Sequence, residues 1–281
     1  MTTTRPLLMS AAAAATLGLW ACAGCDSPEP FVDRAPGEWQ LTWSDDFDGP
    51  AGQAPDATRW KHDVGGDGWG NDQLEYDSDR VENAALDGQG NLVITARKED
   101  LGGRSYTSAR LLTKDLFAQT HGRFEARIQL PLGAGLWPAF WLLGADLETV
   151  PWPGCGEIDI MEYRGQVPDL VHGSLHGPGY SGANPVTDTF FLPDGQRFSD
   201  DFHVFAIEWD RGRIAWFVDG ALYQVATGAQ LPSGASWVFE HPFFIILNLA
   251  VGGNFVGSPD ATTVFPAAMR VDYVRVYERA P

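Results

Sequence analysis

An all-β fold, an antiparallel sandwich of two curved sheets, is what this sequence predicts. Three observations carry that prediction. Polar and apolar residues alternate with period two along most of the chain, an Asp-Gly pair sits between two strand-like runs, and convincing helical periodicity is absent. The 32 glycines and 19 prolines supply punctuation between many short strands.

Taken in chain order, Arg123 to Leu130 alternates without a break and reads as a half-buried strand. Trp137 and Trp141 lie four apart on the next strand-like run and so point to one side. Arg213 to Val218, Asp219-Gly220 and Ala221 to Val225 read as a hairpin on a tight turn. Phe243 to Ala250 is almost continuously apolar, which suits an interior strand covered on both faces. Arg270 to Tyr277 again alternates throughout.

The segment Gly156-Glu157-Ile158-Asp159-Ile160-Met161-Glu162 departs from this order, because three carboxylates interrupt a buried-looking strand. An ionised carboxylate buried without a partner costs several kcal/mol, so such a group is tolerated where it faces a cleft and does chemistry. A solvated surface strand would not carry Ile158, Ile160 and Met161. Strict alternation puts Glu157 and Asp159 on one face and Glu162 on the other. A one-residue β-bulge near Met161 would return Glu162 to the face of Glu157 and Asp159. Two glutamates flanking an aspartate on one face suit retaining glycoside hydrolysis, with Glu157 as nucleophile, Glu162 as acid/base, and Asp159 holding a shared proton between them.

The same segment, preceded by Trp152-Pro153-Gly154-Cys155, resembles the signature of glycoside hydrolase family 16 in its bulged, laminarinase-like form. The resemblance extends over about residues 39–278, through Trp43 to Gly49, Trp69 to Tyr76, Thr107 to Arg110, Gly122 to Arg127, Gly135 to Trp141, His176 to Gly182, Asn248 to Gly253 and Val271 to Tyr277. It implies a β-jelly roll with the glycan in a concave cleft and retaining endo-hydrolysis of β-1,3-glucan. No cofactor is implied for catalysis. Among the eleven tryptophans, Trp43, Trp209 and Trp216 read as core, while Trp137, Trp141 and Trp152 fall in the family's cleft motifs, where indole faces stack on sugars. Asn71, Arg110, His176 and Asn248 match positions that bond sugar hydroxyls or brace the catalytic pair. His176 also admits the reading of a satisfied core histidine, against which stands the cleft-loop look of Gly173 to Gly182. Where many relatives carry Trp, this chain has Phe255, a smaller ring for the outer subsite. The resemblance further implies a structural calcium ion held by Asp46 and Asp272, although Asp272 equally fits the outward position of an alternating strand.

The formal net charge of −18 excludes nucleic acid and sulfated glycans as partners and leaves a neutral polysaccharide. The domain reading is a signal segment over 1–25, a short tether over 26–38 and one catalytic domain over 39–281, expected to be a monomer. Arg5 and the apolar stretch Leu7 to Ala21 form the signal, too short for a comfortable membrane span. Cys22 and Cys25 each resemble a lipoprotein box, so the exported chain is either lipid-anchored in a bacterial envelope or secreted. Cys155 reads as a small packing residue. Two other readings compete with the β-1,3-glucanase: a hydrolase of mixed-linkage β-1,3-1,4-glucan or neutral galactan, and a non-catalytic glucan-binding protein, which would require a missing carboxylate.

Overall fold

The computed structural model describes residues 39–280 and, apart from these, Met1. The signal segment, the tether, Cys22 and Cys25 fall outside the described residues. Two antiparallel sheets face each other across one hydrophobic core, as the alternation requires, because each sheet must bury its apolar face against another. Among the described residues there is no α-helix, and one short 3-10 turn at Gly228–Gln230.

The seven-stranded sheet runs, edge to edge, Val186–Phe191, Leu170–His176, Glu157–Tyr163, Leu136–Gly144, Phe243–Val251, Arg110–Leu112 and Lys61–Asp63. The eight-stranded sheet runs Ala221–Thr227, Arg213–Val218, His203–Asp210, Gly122–Gln129, Ala267–Arg279, Leu92–Ala96 and Ala84–Leu86, with Trp39–Asp45 paired to the long Ala267–Arg279 strand. A separate parallel pair joins Glu75–Asp77 to Tyr106–Ser108.

Local expectations hold in most places. Gly122–Gln129 alternates buried and half-buried along its length, and Phe243–Val251 is buried throughout between two neighbours. Asp219 and Gly220 turn the hairpin with φ of 50° and 80°, the left-handed pair that matches strand twist. Trp209 and Trp216 are wholly buried, and Trp43 packs against the same core.

Two expectations need correction. The Arg270 to Tyr277 alternation is broken by an irregularity between Val271 and Tyr273, so Asp272 is the extra residue of a bulge. Apolar residues at Val271, Val274 and Val276 still face the core, which the bulge makes compatible with a spacing of three and then two. The stretch Gly173 to Gly182 is a loop only in its second half, since Leu170–His176 is a strand.

Candidate active site

The bulge expected in the acidic strand is present. Asp159 pairs with Trp141 and Met161 with Phe140, which leaves Ile160 as the unpaired extra residue. Ile158, Ile160 and Met161 all enter the core, and Glu157, Asp159 and Glu162 emerge together on the outer face. Apolar burial drives this register: sliding the strand by one would expose the three apolar side chains and bury acids in their place.

The bulge is held from the opposite sheet. The Trp216 indole N–H donates to the Asp159 carbonyl oxygen at 2.8 Å through the buried core. That carbonyl would otherwise be a buried acceptor left unpaired at the break in the ladder. Gly173 makes the approach possible, since a Cβ there would lie 2.6 Å from Trp216 Cδ1 and 2.4 Å from the Tyr223 hydroxyl. Gly156, with φ of 74°, turns the chain into the strand where a Cβ would meet Phe243.

Each carboxylate has its own surroundings. The Trp152 indole N–H donates to Glu157 Oε2 at 2.9 Å, and His176 Nε2 lies 3.6 Å from Glu157 Oε1 and 3.1 Å from Asp159 Oδ2. The Trp137 indole N–H donates to Glu162 Oε1 at 3.1 Å, and the nearby Ser174 hydroxyl, which donates to Thr187 Oγ1 at 3.0 Å, also favours the ionised form of Glu162. Burial pushes Glu157, Asp159 and Glu162 each up to about 8. The Asp159 charge pushes Glu157 and Glu162 the same way, while His176 and the indole donors oppose it. Three acids this close titrate as one cluster, so at neutral pH it keeps protons while carrying some negative charge.

The other residues singled out in the sequence divide into three groups. Arg110 and Asn248 are cross-strand neighbours beside this cluster, and the Trp141 indole N–H donates to Asn248 Oδ1 at 2.8 Å. The Arg110 guanidinium lies 4.8 Å from the ring centres of both Trp69 and Trp141 and bonds Asp63 Oδ2 at 3.1 Å. Asn71 is exposed in the neighbouring loop, whose carbonyl accepts from Asn254 N–H at 2.8 Å. Trp152 leaves 43% of its surface open, whereas Trp137 leaves 9% and packs on Ala250, Val256 and Phe255. Of the two, Trp152 has the more open ring, and Trp137 offers its N–H to Glu162. His176 lies on the strand Leu170–His176 directly across from Glu157.

Asp46 and Asp272 do not form a calcium cage as arranged. Asp46 accepts from Arg275 at 2.6 Å and Asp272 from Arg127 at 2.7 Å. A guanidinium on each carboxylate repels a cation there, and calcium wants six to eight oxygen ligands. Among the described residues, the group of three or more acids and histidines close enough to share an ion is Glu157, Asp159 and His176 instead. Cys155 is buried, with its thiol pushed up to about 11 mainly by that burial, which makes it an inert packing residue.

Sequence reasoning missed Ser174 and His172. Both follow from His176 by counting back in twos on one strand, and His172 pairs opposite Glu162. It also missed the Trp216 bond, because nothing local links residues 57 apart.

The chain matches Glycosyl hydrolases family 16 over residues 69–275. It is 45% identical over 259 residues to the beta-glucanase of Rhodothermus marinus, covering 87% of each protein. The endo-beta-1,3-glucanase from Pyrococcus furiosus superposes with a TM-score of 0.83 at 47% identity, over 89% of this chain and 99% of that one. The laminarinase catalytic domain from Thermotoga maritima MSB8 gives a TM-score of 0.82 at 46% identity, over 87% and 100% of the two chains. The bulged acidic strand, the two-sheet architecture and these matches agree: the chain belongs to glycosyl hydrolase family 16 and is a glycoside hydrolase.

Proposed function

We propose that this enzyme cleaves β-1,3-glucan internally, with retention of configuration, using Glu157 as nucleophile and Glu162 as acid/base. The observation that carries the reading is the bulge at Ile160, which turns Glu157, Asp159 and Glu162 onto one face. The laminarinase and endo-β-1,3-glucanase relatives support the linkage.

Glu157 attacks the anomeric carbon while Glu162 gives its proton to the glycosidic oxygen, and the bond to the leaving sugar breaks. Glu162, now ionised, takes a proton from water, which attacks the glycosyl ester and frees Glu157. Two inversions give net retention. The Trp152 N–H, donating to Glu157 Oε2, favours the ionised form of Glu157, and His176, 3.6 Å from Glu157 Oε1 and 3.1 Å from Asp159 Oδ2, favours negative charge on this part of the cluster. Asp159, the more buried acid, keeps a proton beside it and lowers the repulsion that a second charge would cause. Glu162 retains its proton for the first step because burial and the neighbouring acid raise its affinity for it.

Trp152, Trp141, Arg110, Asn71, Asn248 and His176 are proposed to hold the neutral polysaccharide, with no cofactor in the chemistry. The export reading rests on Arg5, the apolar stretch Leu7 to Ala21, and Cys22 and Cys25 as acceptors for a lipid anchor.

Digesting laminarin, lichenan, cellulose and agarose side by side tests the reading. Laminarin should fall to short oligosaccharides whose first anomer by proton NMR is β, with lichenan cut more slowly and cellulose and agarose untouched. A first-formed α anomer would refute retention, and a preference for agarose or cellulose would refute the substrate.

A further inference from the structure

One row of residues crosses the outer face of the seven-stranded sheet and ends at an acid the mechanism does not use. Asp63 lies directly opposite Arg110, Arg110 opposite Asn248, Asn248 opposite Ala139, and Ala139 opposite Glu162. Opposed residues of antiparallel neighbours share a face, so Asp63, Arg110 and Asn248 stand in line with the acid/base. Three strand spacings, about 14 Å, separate Arg110 from the strand of Glu162. A glycan lying across the strands passes from one to the other.

Asp63 is bonded to Arg110 and to little else. The Arg110 Nε–H donates to Asp63 Oδ2 at 3.1 Å, and among the described residues this is the hydrogen bond that the guanidinium makes. Trp69 and Trp141 each offer the same guanidinium a ring at 4.8 Å. The chain leaving Asp63 runs through Gly65 and Gly66 and brings Trp69 over Arg110, with Trp69 in the left-handed region at φ of 51° and its N–H on Asp67 Oδ1 at 3.1 Å. This loop has anchors of its own. Asn254 N–H donates to the Asn71 carbonyl and Leu74 N–H to the Val251 carbonyl, both at 2.8 Å, and the wholly buried Glu75 accepts the Val251 N–H at 2.8 Å. The loop therefore keeps its place without Asp63, whose bond serves the guanidinium.

We propose that Asp63 is a positioning residue for sugar binding: by taking the Arg110 Nε–H it fixes the guanidinium against Trp69 and Trp141 and leaves the Nη groups to bond glycan hydroxyls. Asp63 itself touches no substrate, and the assignment rests on the sugar-binding role proposed above for Arg110. A loose arginine loses rotamer freedom when it takes up a ligand, and setting its fork in advance removes that cost from binding. The carboxylate also offsets the positive charge, so the pair presents hydrogen-bond donors without a net charge, which suits an uncharged glycan. Because the Asp63 strand is one step further from Glu162 than Arg110 is, the effect falls on binding rather than on the bond-breaking step.

A double-mutant cycle on laminarin tests this, using the full chain with Asp63→Ala, Arg110→Ala and both together. Asp63→Ala should raise KM about 3- to 10-fold with kcat within about twofold, and should change the KM of Arg110→Ala by less than about twofold further. Asp63→Asn keeps an oxygen for the Nε–H and should bring KM back to within about twofold of the wild type. Asp63→Ser takes the place of Asp63→Ala in the cycle if the latter does not fold. Effects that multiply in the double variant, a fall in kcat at constant KM, no change on losing Asp63, or an Asp63→Asn variant as impaired as Asp63→Ala would each overturn the proposal. An unchanged KM in Arg110→Ala would show that the underlying sugar-binding role is wrong, and the role of Asp63 falls with it. If the wild-type enzyme leaves laminarin intact, the substrate proposal fails instead, and the cycle is run on the polysaccharide that it does cleave.

Discussion

The eight-stranded sheet and the acidic strand of the seven-stranded sheet treat the same residue types in opposite ways. On and beside the eight-stranded sheet, acids are paired with arginine: Asp46 with Arg275, Asp272 with Arg127, Glu125 with Arg123 and Asp210 with Arg279, at 2.6 to 2.8 Å. On the outer face of the seven-stranded sheet, Glu157, Asp159 and Glu162 meet indole N–H groups, a serine hydroxyl and His176. An arginine would pin a carboxylate as a permanent anion. Withholding it lets burial raise the acids to about 8, in the range where one can give a proton that another has already lost. Reactivity here comes from what is kept away from the acids as much as from what is placed beside them.

Removing the proton donor should have the largest effect. Glu162→Ala is expected to slow laminarin hydrolysis by about 10²–10⁴-fold, the usual worth of a positioned acid/base. On an aryl glycoside with a good leaving group the loss should be far smaller, and azide should restore turnover by standing in for the activated water. Equal losses on both substrates without azide rescue would break the contrast between the two sheets.

Next comes the bond between them. Trp216→Phe leaves the Asp159 carbonyl buried and unpaired, which should cost about 1–3 kcal/mol of stability beyond the smaller ring's lost packing. Because the bulge aims Glu162, kcat should fall as well, at unchanged protein fold by circular dichroism. A variant as stable and as active as the wild type would show that the bulge needs no support from the other sheet.

A subtler expectation concerns pH. An acid whose folded pKa is raised binds its proton better in the native than in the unfolded chain, so stability falls as pH climbs from the ordinary carboxylate range towards about 8. Replacing all three by Glu157→Gln, Asp159→Asn and Glu162→Gln should therefore stabilise the protein above pH 7. The gain should be about 1–3 kcal/mol, less than three independent shifts would give, because the acids titrate together. At pH 4 it should vanish. Melting temperatures between pH 4 and 9 check this, and a destabilised triple variant at pH 8 would contradict burial as the dominant influence on these acids.

The smallest effect belongs to the arginine-paired acids. Asp272→Ala should cost under about 1 kcal/mol, as expected for a partly exposed ion pair. A chelator should leave the melting temperature of the wild type unchanged. A chelator-sensitive melt abolished by Asp272→Ala would restore calcium to that position.

Much of the site could be read in seven residues, because period two is a local property and Glu162 violates it within one strand. The apolar residues around it, Ile158, Ile160 and Met161, left a bulge as the economical answer, and Ile160 is the residue expelled from the ladder. What could not be read depends on chain partners distant in sequence. Trp216 looked like core and is core, yet its indole N–H does a second task that only sheet packing reveals. Asp46 and Asp272 offered acidic ligands by type, but the arginines that occupy them are contributed by register between strands. The Asp272 bulge was hidden because Tyr273 is both polar and apolar and fits either phase of an alternation. Glu75 appeared within a recognised motif with nothing to mark it as buried, since a three-residue parallel pair leaves no periodic signature.

The central claim is that Glu157 forms the covalent bond while Glu162 handles the proton. An activated 2-deoxy-2-fluoro laminaribioside, whose fluorine slows breakdown of the glycosyl ester, should inactivate the enzyme and leave one glycosyl adduct. Mass spectrometry of the digested protein is expected to place that adduct on Glu157. Labelling of Asp159 or Glu162, or turnover through a species that never becomes covalent, would contradict the assignment.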